Sequence, residues 1–176
     1  FYKELIEYPE IDYVIRGDST EEAFKQLMDC IIKTKTEPKT VPNLVWKDSE
    51  GKTRENRFTN IPTDLSNVMI KHYDGVIRSV LRYRDLTGYL PFKDWLRYPI
   101  TAVLTCRGCT HNCIICGGSA AAFKLIHHRD KPVFRSPGMV MENIKSIERF
   151  SRGPIFVLGD LMQHGKDYAN EILSLL

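Results

Sequence analysis

The chain has 176 residues, 43% of them hydrophobic and 27% charged, with a formal net charge of +3, which is enough material for one domain or parts of two. A charge this mild and this evenly spread makes no electrostatic case for nucleic acid or a membrane surface as a partner. No apolar run is long enough to span a bilayer or to act as a secretory leader, and of five cysteines four crowd one stretch, so a disulfide framework is excluded and a reducing cytoplasm is the expected compartment.

Residues 3–8 read as the end of a helix closed before Pro9, and residues 11–15 as a strand. Gly17-Asp18-Ser19-Thr20-Glu21-Glu22 predicts a turn into a helix capped by Ser19 or Thr20, with Ala23, Leu27, Met28 and Ile31 on its apolar face. Helix, strand, glycine turn and helix form one rung of an α/β layer, and one rung cannot bury both faces of its own strand. The chain begins inside one helical pattern at Phe1-Tyr2-Lys3-Glu4-Leu5-Ile6 and stops inside another at Ile172-Leu173-Ser174-Leu175-Leu176, so it reads as a piece of a longer protein.

Residues 34–40 are polar, punctuated by Pro38 and Pro42. Leu44-Val45-Trp46, then Asp48-Ser49-Glu50-Gly51, then residues 53–58 predict a hairpin with Gly51 in the turn. Residues 60–66 are loop-like around Pro62, and no G-x4-G-K-[ST] phosphate loop occurs anywhere. Tyr73, Arg78, Arg82, Tyr83, Arg84, Tyr89, Trp95, Arg97 and Tyr98 interleave basic and aromatic side chains. The pattern is read as a helical linker with buried aromatics and solvated arginines, in preference to an RNA-stacking surface.

A second domain pattern begins at Pro99. Residues 100–104 form a short apolar strand followed by a cysteine loop, and residues 120–126 a short packed helix. His127-His128 is read as surface or site rim, because adjacent helical residues do not share a face. Ser136-Pro137 starts a helix whose buried stripe is Val140, Ile144, Ile147 and Phe150; Gly153-Pro154 ends it, and residues 155–158 are the next strand. Repeated βα units build parallel sheets, with functional groups where strands end and helices begin. That places the cysteine loop and Gly159-Asp160 beyond the same ends of two neighbouring strands.

Cys109, Cys113 and Cys116 follow a C-x3-C-x2-C spacing, and Cys106 precedes them. Thiolates favour zinc, copper(I) and iron–sulfur clusters. Three on one tight loop can hold three corners of a cubane and leave the fourth iron open. Cys106-x2-Cys109 with Cys113-x2-Cys116 can instead close a four-cysteine zinc or iron site, although zinc sites usually put a longer loop between their pairs. Gly117-Gly118 lets backbone approach whatever the thiolates hold.

The Cys109-x3-Cys113-x2-Cys116 loop after a strand resembles the signature of the radical S-adenosylmethionine (radical SAM) superfamily. Thr105-Cys106-Arg107-Gly108-Cys109 is similar to the lead-in of the subgroup that carries a cobalamin-binding domain ahead of the radical domain. The resemblance implies that Cys109, Cys113 and Cys116 hold a [4Fe–4S] cluster whose open iron takes the amino and carboxylate groups of S-adenosylmethionine, bordered by Ile115, Gly117 and Gly118. Ile115 stands where the family usually has an aromatic residue, and Cys106 is extra to its pattern. Gly159-Asp160 is the nearest equivalent of the stretch that contacts the methionine amine in the family; Asp160 either accepts from that amine or caps the next helix. No residue is assigned as catalytic in its own right.

The segment 11–18 with Glu21-Glu22 resembles the last strand, turn and helix of the cobalamin-binding domain, and His72 is not drafted as a cobalamin ligand. The implied fold is α/β. Residues 1–35 are the tail of a Rossmann-like cobalamin-binding-type domain, 36–98 a linker with a β-hairpin and a Tyr/Arg-rich helical segment, and 99–176 the first βα units of a partial β/α (TIM-like) barrel. The implied activity is reductive cleavage of S-adenosylmethionine to a 5′-deoxyadenosyl radical, with cobalamin-dependent methyl transfer or rearrangement as its outcome. A reductant such as flavodoxin or ferredoxin supplies the electron, and later barrel strands grip a substrate the sequence does not identify. The alternative is a closed four-cysteine zinc or iron–sulfur module with a structural, electron-transfer or RNA-interaction role. Too few barrel units are present to cover the 100–104 strand, so self-association of this piece is expected.

Overall fold

The structure is a computed structural model that describes residues 1–66, 68, 74–84, 97 and 99–176. Its elements, in chain order, are α1 (Tyr2–Glu7), β1 (Tyr13–Ile15), α2 (Glu21–Met28), a π-helical turn (Asp29–Thr34), β2 (Leu44–Lys47), β3 (Thr53–Glu55), α3 (Asp74–Tyr83), β4 (Thr101–Leu104), β5 (Cys106–Arg107), α4 (Ala120–His127), β6 (Val133–Phe134), α5 (Pro137–Phe150), β7 (Ile155–Leu158), a 3-10 turn (Leu161–His164) and α6 (Lys166–Leu175). They group into two compact units, one of Phe1–Thr63 with Gly108–Lys131, the other of Asp64–Arg107 with Pro132–Leu176.

In the first unit the hairpin forms where its turn chemistry calls for it. The Asp48 carboxylate accepts from the N–H groups of Glu50 and Lys52 and from Arg54 Nε at 2.7 Å, while Gly51 takes a φ of +75° that a side chain would resist. The Lys52 N–H, then the Arg54 guanidinium, hold the Asp48 carboxyl below the usual carboxylate range. β2 is the central strand of an antiparallel sheet ordered β1-β2-β3, with Tyr13 opposite Trp46 and Trp46 opposite Arg54. Leu44 and Trp46 join Ala23, Leu27 and Val41 in the core, with Ile15 and Cys30 packed against them. Asn43, fully buried at φ +60°, accepts from the N–H groups of Thr59 and Asn60 and donates to the Asn60 carbonyl, so its amide is satisfied.

The rung expected over residues 1–35 supplies α1, β1 and α2, and the neighbour of its strand comes from the hairpin. The β1 ladder is completed by a hairpin strand from beyond residue 36, β2, whose Leu44, Val45 and Trp46 are buried. The helix beginning at Glu21 buries Ala23 and Leu27 as expected, but Ile31 lies in the π-helical turn and is 40% exposed. Thr20 occupies the N-cap position without a side-chain hydrogen bond, and Ser19 donates to Asp18 instead.

In the second unit β4 and β7 pair in parallel, Thr101 opposite Ile155 through Leu104 opposite Leu158. α5 starts where Ser136 Oγ accepts from the Met139 N–H and Pro137 fills the first turn. Val140, Ile144 and Ile147 then bury against Val103, Tyr168 and Ile172; the Phe150 side chain lies outside the described set. Only one face of the β4–β7 pair is covered this way. Leu104, Phe156 and Leu158 on the other face are 48%, 55% and 44% exposed. A short β5–β6 ladder, Cys106 opposite Phe134, has no counterpart in the sequence reading. α3 is helical as expected, but Tyr83 is exposed beneath Arg82 at 5.7 Å where a buried ring was expected. Tyr73, Tyr89, Trp95, Tyr98 and His72 lie outside the described residues. Among the described residues no helix is long and apolar enough to cross a membrane.

Candidate metal and cofactor loop

The cysteine loop is built from backbone turns anchored on the first turn of α4. The Cys116 N–H donates to the Cys113 carbonyl at 3.1 Å, and the Ser119 N–H to the Cys116 carbonyl at 3.2 Å. Ser119 then caps α4 by accepting from the Ala122 N–H. Two further bonds tie the loop to the helix: the Ala120 N–H donates to the His111 carbonyl, and the Ala121 N–H to Asn112 Oδ1, both at 2.8 Å. These are the N–H groups that a helix start leaves without intrahelical partners. Ser119 ahead of an alanine run is a readable cap signal; Asn112 carries none, and the sequence reading passed over it.

Cys109 is partly buried and Cys113 and Cys116 are exposed, all as free thiols. Cys109 Sγ accepts a 3.4 Å contact from the His111 N–H. Ile114 and Ile115 stand fully in solvent. A Cβ at Gly117 would meet nothing within 4 Å, and one at Gly118 only ordinary contacts, with Phe123 at 3.6 Å and Cys116 Sγ at 3.8 Å. Protein packing therefore does not demand glycine at either position, and the space beside Gly117 is open. In donor chemistry, three accessible thiols on one turn-rich loop fit an iron–sulfur cluster. Their sulfurs are not preassembled: among the described residues no group of three or more His, Cys, Asp or Glu side chains is gathered as a metal ion would require.

Cys106 and the Gly159-Asp160 pair belong to the second unit. Cys106 sits in the β5–β6 ladder, two residues beyond the end of β4. Gly159 has φ +113°, and a Cβ there would lie 2.4 Å from Thr105 Oγ1 and 2.9 Å from Cys106 Sγ. The end of β7 thus passes directly against the residues that lead into the cysteine loop. Thr105, fully buried, adds a hydrogen bond from Oγ1 to the Leu158 carbonyl at 3.0 Å. Asp160 caps the 3-10 turn by accepting from the Met162 N–H at 2.9 Å. Nearby, Tyr168 donates to the Arg135 carbonyl at 2.8 Å; burial first, and the neighbouring Cys106 second, push its phenol above the ordinary tyrosine value.

The two histidines lie at the C-terminal end of α4, His127 as its last residue and His128 just beyond it. His128 takes a left-handed conformation (φ +54°) that closes the helix and stacks on Phe58 at 4.5 Å, while His127 lies against Phe123. Nothing among the described residues marks a cobalamin site.

The fold has distant structural similarity to cobalamin-dependent radical S-adenosylmethionine enzymes. It superposes on the cobalamin-dependent S-adenosylmethionine radical enzyme OxsB with aqua-cobalamin and S-adenosylmethionine bound, at a TM-score of 0.62 and 14% identity over 99% of this chain and 22% of that one. The radical S-adenosylmethionine methyltransferase TsrM from Kitasatospora setae, with tryptophan substrate and an S-adenosylmethionine analogue bound, matches at a TM-score of 0.59 and 17% identity over 97% of this chain and 30% of that one. The chain therefore spans between a fifth and a third of the chains it matches, and at these identities the likeness is one of fold. No protein-family model matches the chain, and no curated protein does.

Proposed function

We propose that the chain is part of a radical S-adenosylmethionine iron–sulfur enzyme of the cobalamin-associated kind. The observation that carries this reading is the Cys109-x3-Cys113-x2-Cys116 loop, directly after a strand, in a chain whose fold superposes over nearly its full length on enzymes of that kind. A [4Fe–4S] cluster held here would supply the electron for reductive cleavage of a sulfonium S–C bond of S-adenosylmethionine; the protein's share would be anchoring and orientation. Cys109, Cys113 and Cys116 would each hold one iron as thiolates. Ile115, Gly117 and Gly118 border S-adenosylmethionine, with open space at Gly117 for its approach. Gly159 and Asp160 close the neighbouring strand end, with Asp160 engaged as a cap. Methyl transfer or rearrangement with cobalamin, electron supply from a flavodoxin or ferredoxin, and the assignment of residues 99–176 to the opening of a partial barrel belong to the same proposal.

The test is anaerobic reconstitution with iron and sulfide. The expected result is a brown protein with about four irons per chain, an electron paramagnetic resonance signal on reduction that shifts when S-adenosylmethionine is added, and loss of both after Cys109→Ala, Cys113→Ala or Cys116→Ala. Cys106→Ala keeps its iron. A colourless protein holding one zinc, or iron lost on replacing Cys106, supports the closed four-cysteine module and overturns this reading.

A further inference from the structure

α4 connects two kinds of contact. At its N-terminal end the His111 carbonyl, Asn112 Oδ1 and Ser119 Oγ bind the first-turn N–H groups and so attach the cysteine loop to the helix. At its C-terminal end, about 12 Å away for eight residues at 1.5 Å each, the chain turns at His128 and delivers Arg129 into the interior of the same unit. Arg129 is 3% exposed. Its Nε meets Asp18 Oδ2 at 2.5 Å and its Nη2 meets Asp18 Oδ1 at 3.0 Å, a two-pronged pairing. Nη2 also donates to Ser19 Oγ at 3.2 Å, and Nη1 to the Pro62 carbonyl at 3.0 Å. The Asp18 and Ser19 side of the clasp is held in turn by Asn60, which donates to the Ser19 carbonyl. His128 on Phe58 adds a stacked contact one residue earlier.

α4 is eight residues long and buries none of them, so its place must be set by contacts at its ends. Burying an arginine and an aspartate from water is costly, and the pairing repays that cost only with good geometry and further hydrogen bonds, both of which are present here. What it provides is direction: a planar fork engaged on three sides permits one orientation of the chain that leaves α4. We propose that the Asp18–Arg129 clasp is a positioning device for the cysteine loop, with α4 as the rigid strut that carries the constraint from Arg129 to Cys109, Cys113 and Cys116. The role assigned to the cysteines rests on the reading proposed above; the mechanical coupling from Arg129 to the loop does not.

The experiment compares the full chain with its Arg129→Gln and Arg129→Lys variants, following amide hydrogen exchange peptide by peptide and, separately, iron content after anaerobic reconstitution. The expected result for R129Q is exchange at least tenfold faster across residues 108–127 with the β2–β3 hairpin unchanged, and an iron content well below wild type. R129K, which keeps the charge but not the fork, falls between the two in both readouts. If R129Q also loses protection in the hairpin, the R129K protein decides, since it retains a charge for Asp18. Loop exchange and iron content equal to wild type in R129K and R129Q overturn the proposal, as does hairpin loss in step with loop loss in both variants, which is the mark of a merely structural pair. A wild-type chain that binds no iron would sink the cluster reading while the exchange arm still decides the clasp.

Discussion

Replacing Gly159 with alanine puts a methyl group where the structure has no room. The new carbon would lie 2.4 Å from Thr105 Oγ1 and 2.9 Å from Cys106 Sγ, and the backbone at φ +113° is one that side-chain-bearing residues resist. Holding a non-glycine residue in such a conformation costs on the order of 1–3 kcal/mol, and overpacking a buried contact costs about 1–3 kcal/mol more. Thr105 cannot swing away without giving up its bond to the Leu158 carbonyl. Even the lower half of that sum, ~3 kcal/mol, corresponds to roughly a hundredfold loss of protection at one decade per 1.4 kcal/mol. Hydrogen exchange of peptides covering 101–107 and 155–160 reads it, with Gly117→Ala as the control because its methyl group would enter open space. Thr105→Ala in the Gly159→Ala background should recover part of the loss, an interaction energy of about 1 kcal/mol or more between touching sites. Protection within twofold of wild type in Gly159→Ala, or an equal loss in Gly117→Ala, would refute the argument that strand-end crowding makes this glycine obligatory.

Other outcomes follow from single contacts. Burial by itself pushes the Asp18 carboxyl up, but the Arg129 hydrogen bond and charge, aided by Ser19, outweigh it and leave the group below its ordinary value. Its contribution to stability is therefore complete above the ordinary carboxylate range and drains away as pH falls through that range towards the depressed value; urea titrations from neutral to acid pH should show this loss in wild type and a flatter profile in Asp18→Asn. Tyr168→Phe removes the bond to the Arg135 carbonyl and should cost about 1 kcal/mol, read as faster exchange in α5 and α6. Ser119→Ala deletes the α4 cap for about 1 kcal/mol and should loosen residues 108–127 without touching the β2–β3 hairpin. Phe156→Glu places a charge on the uncovered face of the β4–β7 pair; if that face drives self-association at micromolar concentration, sedimentation should show the wild-type chain larger than this variant.

Sequence patterns were good guides at most places where the cause is local, the cap expected at Ser19 or Thr20 being an exception. Ser136-Pro137 starts α5 and Gly51 turns the hairpin, because each signal acts within a few residues of its effect; the parallel pairing of β4 with β7 is the one distant partnership that was legible, through the βα repeat between them. Distant partners outside such a repeat were invisible. Nothing in residues 13–15 says that they will pair antiparallel with residues 44–46, since alternation specifies a strand and not its neighbour. The Asp18–Arg129 pair joins residues 111 apart, each unremarkable in its own surroundings. Of the candidate site, the thiols and their spacing were legible; the attachment of their loop to α4 through His111 and Asn112 was not, because a backbone carbonyl and an asparagine in a loop look the same whether or not they serve a helix start.

The division of the chain into interleaved segments bears on how the protein is made. The first unit is left at Thr63 and resumed only at Gly108, after the opening segment of the second has been laid down. At about 5–20 residues per second, Arg129 leaves the ribosome roughly six to twenty seconds after Asp18, given their separation of 111 positions. Through that interval the β1-β2-β3 sheet can assemble from contiguous chain, but Asp18 and Ser19 wait in water for their cation. Synthesis order alone thus makes the cysteine segment the last part of its unit to be fastened, and a nascent chain interrupted near residue 107 would carry a formed sheet and no thiol loop.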